Sequence, residues 1–67
     1  MDSELVLLVR DWGVEAAAAT TVARALSVLM AGDSATPAEA FIDLRWRSLN
    51  QRRPLVEVAS TVTSAVA

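Results

Sequence analysis

Two prolines divide this sequence into three segments that have the periodicity of helices. Pro37 lies in the stretch Thr36-Pro37-Ala38-Glu39, where threonine and glutamate have the spacing of a capping box and proline takes the first helical position. Pro54 cannot continue a preceding helix, but it suits the first turn of a following one. The sequence therefore predicts an all-α fold with helices at about residues 3–31, 37–50 and 54–66.

The first segment carries residues spaced alternately by three and four, the spacing of a coiled coil. This spacing predicts a three-helix domain with a long, coiled-coil-like first helix. Gly13 leaves an alternative open, in which a short N-terminal element precedes a helix from about Val14. The positions that follow the spacing are Leu5, Leu8, Trp12, Glu15, Ala19, Val22, Leu26 and Leu29.

Apolar residues on the three segments predict a core and a self-association surface. Ile42, Trp46 and Leu49 form a second apolar line on the middle segment, so we expect Trp46 to be partly exposed. A chain of 67 residues has a marginal core, which favours a homodimer through the first helix. The dimerisation residues are predicted to be Leu5, Leu8, Trp12 and Val22. The core is predicted to join Phe41, Leu44, Leu55, Val58 and Val62 to Val22, Leu26 and Leu29.

Residue types that the sequence lacks argue against several classes of protein. The chain has no cysteine and no histidine, so a disulfide framework and a Cys/His zinc site are excluded. The commonest catalytic bases and thiol nucleophiles are missing for the same reason. Gly13 and Gly32 stand alone rather than in a phosphate-binding loop. We therefore expect neither an enzyme nor a protein that depends on a metal or a cofactor.

The N-terminal sequence bears on the location of the protein. The opening MDSELVLLVRD has acidic residues where a signal peptide has positive charge. The strongly apolar run from Leu5 to Val9 is far too short to span a bilayer. We expect a cytoplasmic protein without a membrane partner.

Four of the six basic residues fall within nine positions, in the stretch RWRSLNQRR. They are Arg45, Arg47, Arg52 and Arg53, while the whole chain has a formal net charge of −2. Arginine suits phosphate because its guanidinium is a planar fork of donors. The cluster is therefore a candidate phosphate-binding surface, and the alternative is a solvated, arginine-rich helix end.

Trp46 lies between Arg45 and Arg47 and has three interpretations. Tryptophan and arginine both stack on unpaired bases, which suits the loops of RNA. Trp46 is alternatively a core residue flanked by solvated arginines. In the third interpretation it anchors a protein interface, where tryptophan and arginine are both enriched.

From Ala25 to Val62 the sequence resembles the ANTAR domain, the RNA-binding output module of AmiR- and NasR-type transcription antiterminators. The run 25–30, AlaLeuSerValLeuMet, is similar to the family's Ala-Lys-Gly-Ile-Leu-Met. The run 38–41, AlaGluAlaPhe, resembles its second helix together with Leu44 and Arg45. The beginning of its third helix is matched by Ser48, Arg53, Leu55, Val58 and Ala59.

The resemblance implies a function and an organisation. It implies residues 1–24 as an N-terminal helical or coiled-coil segment and residues 25–67 as the three-helix ANTAR-like domain. Such domains bind paired stem-loops in nascent messenger RNA and stabilise an antiterminator hairpin, so that transcription continues. A receiver or GAF sensor commonly precedes them and brings two copies together. At 67 residues the chain is too short to hold one as well, so we expect either a part of a longer protein or a minimal member.

Some positions depart from the family pattern, and two hypotheses stay open. The family's lysine and glycine are Leu26 and Ser27 here, and its asparagine before the third helix corresponds to Arg52. The first hypothesis is an RNA-binding antitermination module, with Arg45, Trp46, Arg47, Arg52 and Arg53 at the RNA. The second is a divergent protein-interaction or dimerisation module that keeps the fold without RNA binding.

Overall fold

The computed structural model describes residues 2–33 and 35–66, with the side chains of residues 4–32 and 35–65. Within these residues the chain forms four helices and no strand. The helices are α1 (Asp2–Asp11), α2 (Ala16–Asp33), α3 (Pro37–Gln51) and α4 (Leu55–Val66). The predicted all-α class is confirmed, and α3 and α4 lie within a residue or two of their predicted bounds.

The continuous first helix predicted over residues 3–31 is wrong, because the chain turns sharply between α1 and α2. Gly13 has φ +96°, a left-handed conformation that ends a helix. Its N–H donates to the Arg10 carbonyl and the Val14 N–H donates to the Val9 carbonyl, both at 3.1 Å. This pair of bonds is a Schellman motif. The helix axis turns by 119° at the break, so the alternative interpretation of Gly13 is correct.

The capping box predicted at the start of α3 is present. The Thr36 hydroxyl accepts from the Glu39 N–H at 3.3 Å, and a Glu39 carboxylate oxygen accepts from the Thr36 N–H at 3.1 Å. Two N–H groups that lack helical partners are thereby satisfied. Pro37 occupies the first turn of α3 as predicted. These local interactions fix where the arginine-bearing helix begins.

The helix α2 lies at the centre of the fold and packs against the other three helices. Leu26, Leu44 and Val58 are buried together in a single core, as the sequence predicted. Phe41, Leu55 and Val62 are partly buried against it. The α2 residues that follow the predicted coiled-coil spacing are buried inside this chain. They belong to its core, which α1, α3 and α4 cover. The buried core consists of Val9, Ala19, Val22, Ala25, Leu26, Leu29, Ala40, Leu44, Val58 and Ala59.

Within the described residues, each helix alone is too short or too polar to cross a membrane. The predicted division of the chain at residues 24 and 25 falls inside α2. It stays a prediction.

Candidate nucleic-acid interface

The five residues predicted to bind RNA are all exposed, and they lie along the second half of α3 and the turn after it. Arg45, Trp46 and Arg47 belong to α3, whereas Arg52 and Arg53 follow its last residue, Gln51. The turn and the end of α3 therefore form one continuous exposed region. The charges within it are not equivalent, because the arginines differ in direction and in their ion pairs.

Arg45 and Arg47 point to nearly opposite sides of α3. Two positions along a helix of 3.6 residues per turn separate side chains by roughly 160°. Arg47 lies near Asp43, with Nη2 at 3.3 Å from Oδ2, and both side chains are more than two-fifths exposed. An exposed pair of this kind holds the arginine weakly, at about 0–1 kcal/mol. The positive charge of Arg47 is thus partly compensated within α3.

Arg53 has a similar compensating partner on the next helix. Its Nη2 atom lies 3.3 Å from Oε1 of Glu57, in the first turn of α4. The Arg53 carbonyl accepts a hydrogen bond from the Ser48 hydroxyl at 2.6 Å. These contacts join the end of α3 to the beginning of α4. Among the described side chains, carboxylates pair with Arg47 and Arg53 but not with Arg45 or Arg52.

Arg52 has an unusual backbone conformation for an arginine. Its φ and ψ are 54° and 44°, in the left-handed region that glycine and asparagine adopt most readily. Its N–H donates to the Leu49 carbonyl at 3.3 Å, and the Arg53 N–H donates to the Ser48 carbonyl at 3.1 Å. This turn is again a Schellman motif. An L-residue with a Cβ atom costs about 1–2 kcal/mol in this conformation.

Arg45 contributes to the walls of three apolar grooves. The first, of about 450 Å³, runs between the α1–α2 turn, α3 and the start of α4, and Trp12, Phe41 and Leu55 contribute to its walls. The rings of Trp12 and Phe41 pack there with centroids 4.8 Å apart and planes tilted by 38°. The second, of about 170 Å³, lies on the outer side of α3, and the third, of about 320 Å³, lies between Trp12 and α3. All three grooves place apolar side chains beside the guanidinium of Arg45, which has no carboxylate partner among the described side chains.

An exposed apolar stripe runs along the outer side of α3. It consists of Ile42, Trp46 and Leu49, spaced by four and three so that they share one face of the helix. These side chains are 57%, 60% and 67% exposed. Trp46 is therefore an exposed residue, as the sequence analysis expected, and the core interpretation of this tryptophan is wrong. We refer to these three residues as the α3 stripe.

The residues predicted to mediate dimerisation lie in different environments. Val22 is completely buried, so it offers no surface to a second copy while this fold is kept. Leu5, Leu8 and Trp12 are half-buried, and Trp12 is turned toward Phe41. The side chains that sequence spacing assigned to a dimer seam are therefore wholly or partly used inside the chain.

Sequence reasoning missed the groove of about 450 Å³ that Arg45 lines together with residues of other segments. Its walls combine Trp12 and Glu15 from the α1–α2 turn, Phe41 from α3, and Leu55 and Val56 from α4. No periodic pattern in the sequence predicts that these segments meet in the folded chain. The sequence contained one signal, the glycine at position 13, whose left-handed turn folds α1 onto α2 and leaves Trp12 beside Phe41.

Comparison with known proteins gives a family. The family model described as the ANTAR domain matches residues 14–62, which include all of α2 and α3 and most of α4. No curated protein and no solved structure matches the chain. The match begins after Gly13, so α1 lies outside it, and it extends the resemblance found at Ala25–Val62 toward the N-terminus. The family consists of regulatory RNA-binding domains and not of enzymes. Because the match covers more than half of its length, the chain belongs to the ANTAR domain family.

Proposed function

We propose that this chain is the RNA-binding module of a transcription antitermination regulator and holds stem-loop RNA at the end of α3. The conformation of Arg52 is the observation that carries the proposal. Glycine would occupy this left-handed position at lower cost, and the asparagine that the family pattern has there also tolerates it. A long, charged side chain at such a position favours a role for that side chain outside the fold.

Arg45 and Arg52 are the principal phosphate contacts in this proposal. Arg45 lies in the second half of α3, and Arg52 lies in the turn that directly follows the helix. Neither has a carboxylate partner among the described side chains. Each guanidinium can donate two parallel hydrogen bonds to one phosphate group. Arg47 and Arg53 are secondary contacts, because phosphate must compete there with Asp43 and Glu57.

The α3 stripe supplies a surface for unpaired bases. The exposed indole of Trp46 lies next to Arg45 in sequence and is flanked by Ile42 and Leu49. Stacking of one base on an aromatic side chain is worth about 1–3 kcal/mol. A loop of a stem-loop presents unpaired bases and phosphates together, which suits this combination better than a regular duplex does.

The regulatory consequence is the stabilisation of one RNA structure over another. Binding to stem-loops in a nascent transcript would favour the antiterminator hairpin, so that the terminator hairpin does not form. Such a target places the protein in the cytoplasm. The chain is acidic overall, so affinity depends on the local arginines rather than on the net charge of the protein.

The experiment compares matched arginine variants in titrations with a two-stem-loop RNA at several salt concentrations. Arg45→Ala and Arg52→Ala should each weaken binding. Each should also reduce the slope of log affinity against log salt by about 0.7–0.9 for every phosphate that the arginine neutralised. Arg47→Ala is the control, because it removes the same charge from the opposite side of the same helix. Its effect should be clearly smaller.

Two outcomes would contradict the proposal. Equal losses of affinity in all three variants would indicate a diffuse charge effect rather than a site at Arg45 and Arg52. A folded wild type without measurable RNA binding would favour the protein-interaction hypothesis, for which the α3 stripe is the available apolar surface. Joining two copies through a flexible linker controls for a requirement that two modules act together.

A further inference from the structure

The helix α1 is held almost entirely by α2. Val9 is completely buried and belongs to the same core cluster as Ala19 and Val22 of α2, with Val6 packed beside it. Contacts of α1 with α3 and α4 are marginal by comparison. We call the surface of α2 that α1 covers the α1 site. Because α1 packs on a single neighbouring helix, it can detach from its own α2 as a unit when the α1 site of another chain is available.

A connection of four residues, Trp12 to Glu15, holds α1 in this position. Its sharp turn depends on the left-handed conformation of Gly13. A Cβ atom built on Gly13 would meet no other atom within 4 Å. The turn therefore depends on the backbone freedom of glycine and not on the space available for a side chain.

The sequence on both sides of this turn is compatible with one straight helix. The spacing by three and four continues from Leu8 through Trp12 and Glu15 to Ala19 without a change of register. In a straight helix α1 would leave the α1 site and expose Val9 together with the core beneath it. The α1 site of a second copy has the shape and the apolar character to cover this surface again.

We propose that the α1 site receives α1 of a second copy, which gives a two-fold dimer with exchanged N-terminal helices. The contacts in the dimer are those that the single chain makes within itself, so no new complementary surface is needed. Short hinge connections favour this kind of exchange. Gly13 controls the equilibrium, because its left-handed conformation keeps α1 on its own chain. The proposal does not depend on RNA binding.

The test is the association of Gly13 variants of the full chain, measured by sedimentation equilibrium. Gly13→Ala disfavours the left-handed turn and favours a continuous helix. It should lower the dissociation constant of the dimer at least about tenfold and make the melting temperature depend on protein concentration. Gly13→Asn, which tolerates the turn, should behave like wild type. Gly32→Ala, a change inside α2 with open space around it, is the control for helix propensity.

Two further variants in the Gly13→Ala background identify the interface. Val9→Ala should weaken the dimer, because Val9 then packs against the partner. Leu7→Ala should not, because Leu7 is 66% exposed on the outer side of α1. A dimer as sensitive to Leu7→Ala as to Val9→Ala would overturn the exchange. So would a Gly13→Ala variant that stays a folded monomer at high micromolar concentration, or one that is unfolded at every concentration.

Discussion

Gly13 and Arg52 occupy the same position in two turns of the same type, one after α1 and the other after α3. Both have positive φ, +96° and +54°, and in both turns the following N–H reaches back five residues to a helical carbonyl. Glycine adopts this conformation without steric cost, whereas arginine does not. The turn after α1 therefore has the residue that favours stability, whereas the turn after α3 has an arginine that strains the backbone.

Arg52→Gly should stabilise the fold and weaken RNA binding. Relief of the left-handed conformation should raise the free energy of unfolding by about 0.5–1 kcal/mol, after allowance for the greater freedom of glycine in the unfolded chain. Urea denaturation measures this change. Arg52→Ala is the control, because it removes the guanidinium but keeps a Cβ atom, and it should bring no comparable gain. A glycine variant no more stable than the alanine variant would contradict the assigned cost.

Leu44→Ala should remove a large part of the stability of the fold. Leu44 is completely buried in the core, so its truncation leaves a cavity among α2, α3 and α4. Such changes cost about 2–5 kcal/mol, comparable with the whole stability of a small domain. Leu49→Ala makes the same substitution on the exposed side of the same helix and should change stability by less than about 0.5 kcal/mol. Similar urea midpoints for the two variants would show that the core is assigned to the wrong face.

Thr36→Ala should destabilise the beginning of α3. The hydroxyl of Thr36 accepts from the Glu39 N–H, and the loss of such a cap costs about 1 kcal/mol. Thr36→Ser keeps the hydroxyl and should retain most of the stability. Thermal unfolding followed by circular dichroism compares the two, and equal losses of stability would point to the threonine methyl group rather than to the cap.

The carboxylate of Glu39 should make stability depend on pH. Hydrogen bonds from the Thr36 backbone N–H and hydroxyl hold the pKa of Glu39 below its ordinary value in the folded state. A carboxyl group with a lowered pKa in the folded state stabilises the fold above its ordinary pKa. This contribution is lost as the pH falls through the lowered value. Wild type should therefore exceed Glu39→Gln in stability at neutral pH, and the difference should shrink on acidification; a difference independent of pH would contradict the assignment.

Trp46 should report RNA binding through its fluorescence. Trp12→Phe leaves Trp46 as the single tryptophan and keeps an aromatic ring against Phe41. Because the indole of Trp46 is exposed, a base that stacks on it should quench its emission in proportion to the RNA bound. The same titration with Arg45→Ala in this background should shift the midpoint to higher RNA concentration. Binding without a change in emission would remove Trp46 from the contact surface.

Features that depend on local interactions could be predicted from the amino-acid sequence. Thr36, Pro37 and Glu39 specify the start of α3 through hydrogen bonds within one turn of helix, and Pro54 specifies the break before α4. The exposure of Trp46 also followed from periodicity, because two apolar lines on one helix exceed what a small bundle can cover. The family was recognisable from the order and spacing of short motifs.

Two features became clear only from the packed helices: whether the first segment packs inside its own chain, and which arginines pair with carboxylates. The spacing from Leu5 to Leu29 fits a seam between two chains or a core within one, because both bury the same helix face. The left-handed turn at Gly13 selects the core by folding α1 onto α2. Likewise, four neighbouring arginines are equivalent in sequence, yet the folded chain pairs two of them with Asp43 and Glu57. Direction and pairing depend on how the helices pack in three dimensions, which no local pattern specifies.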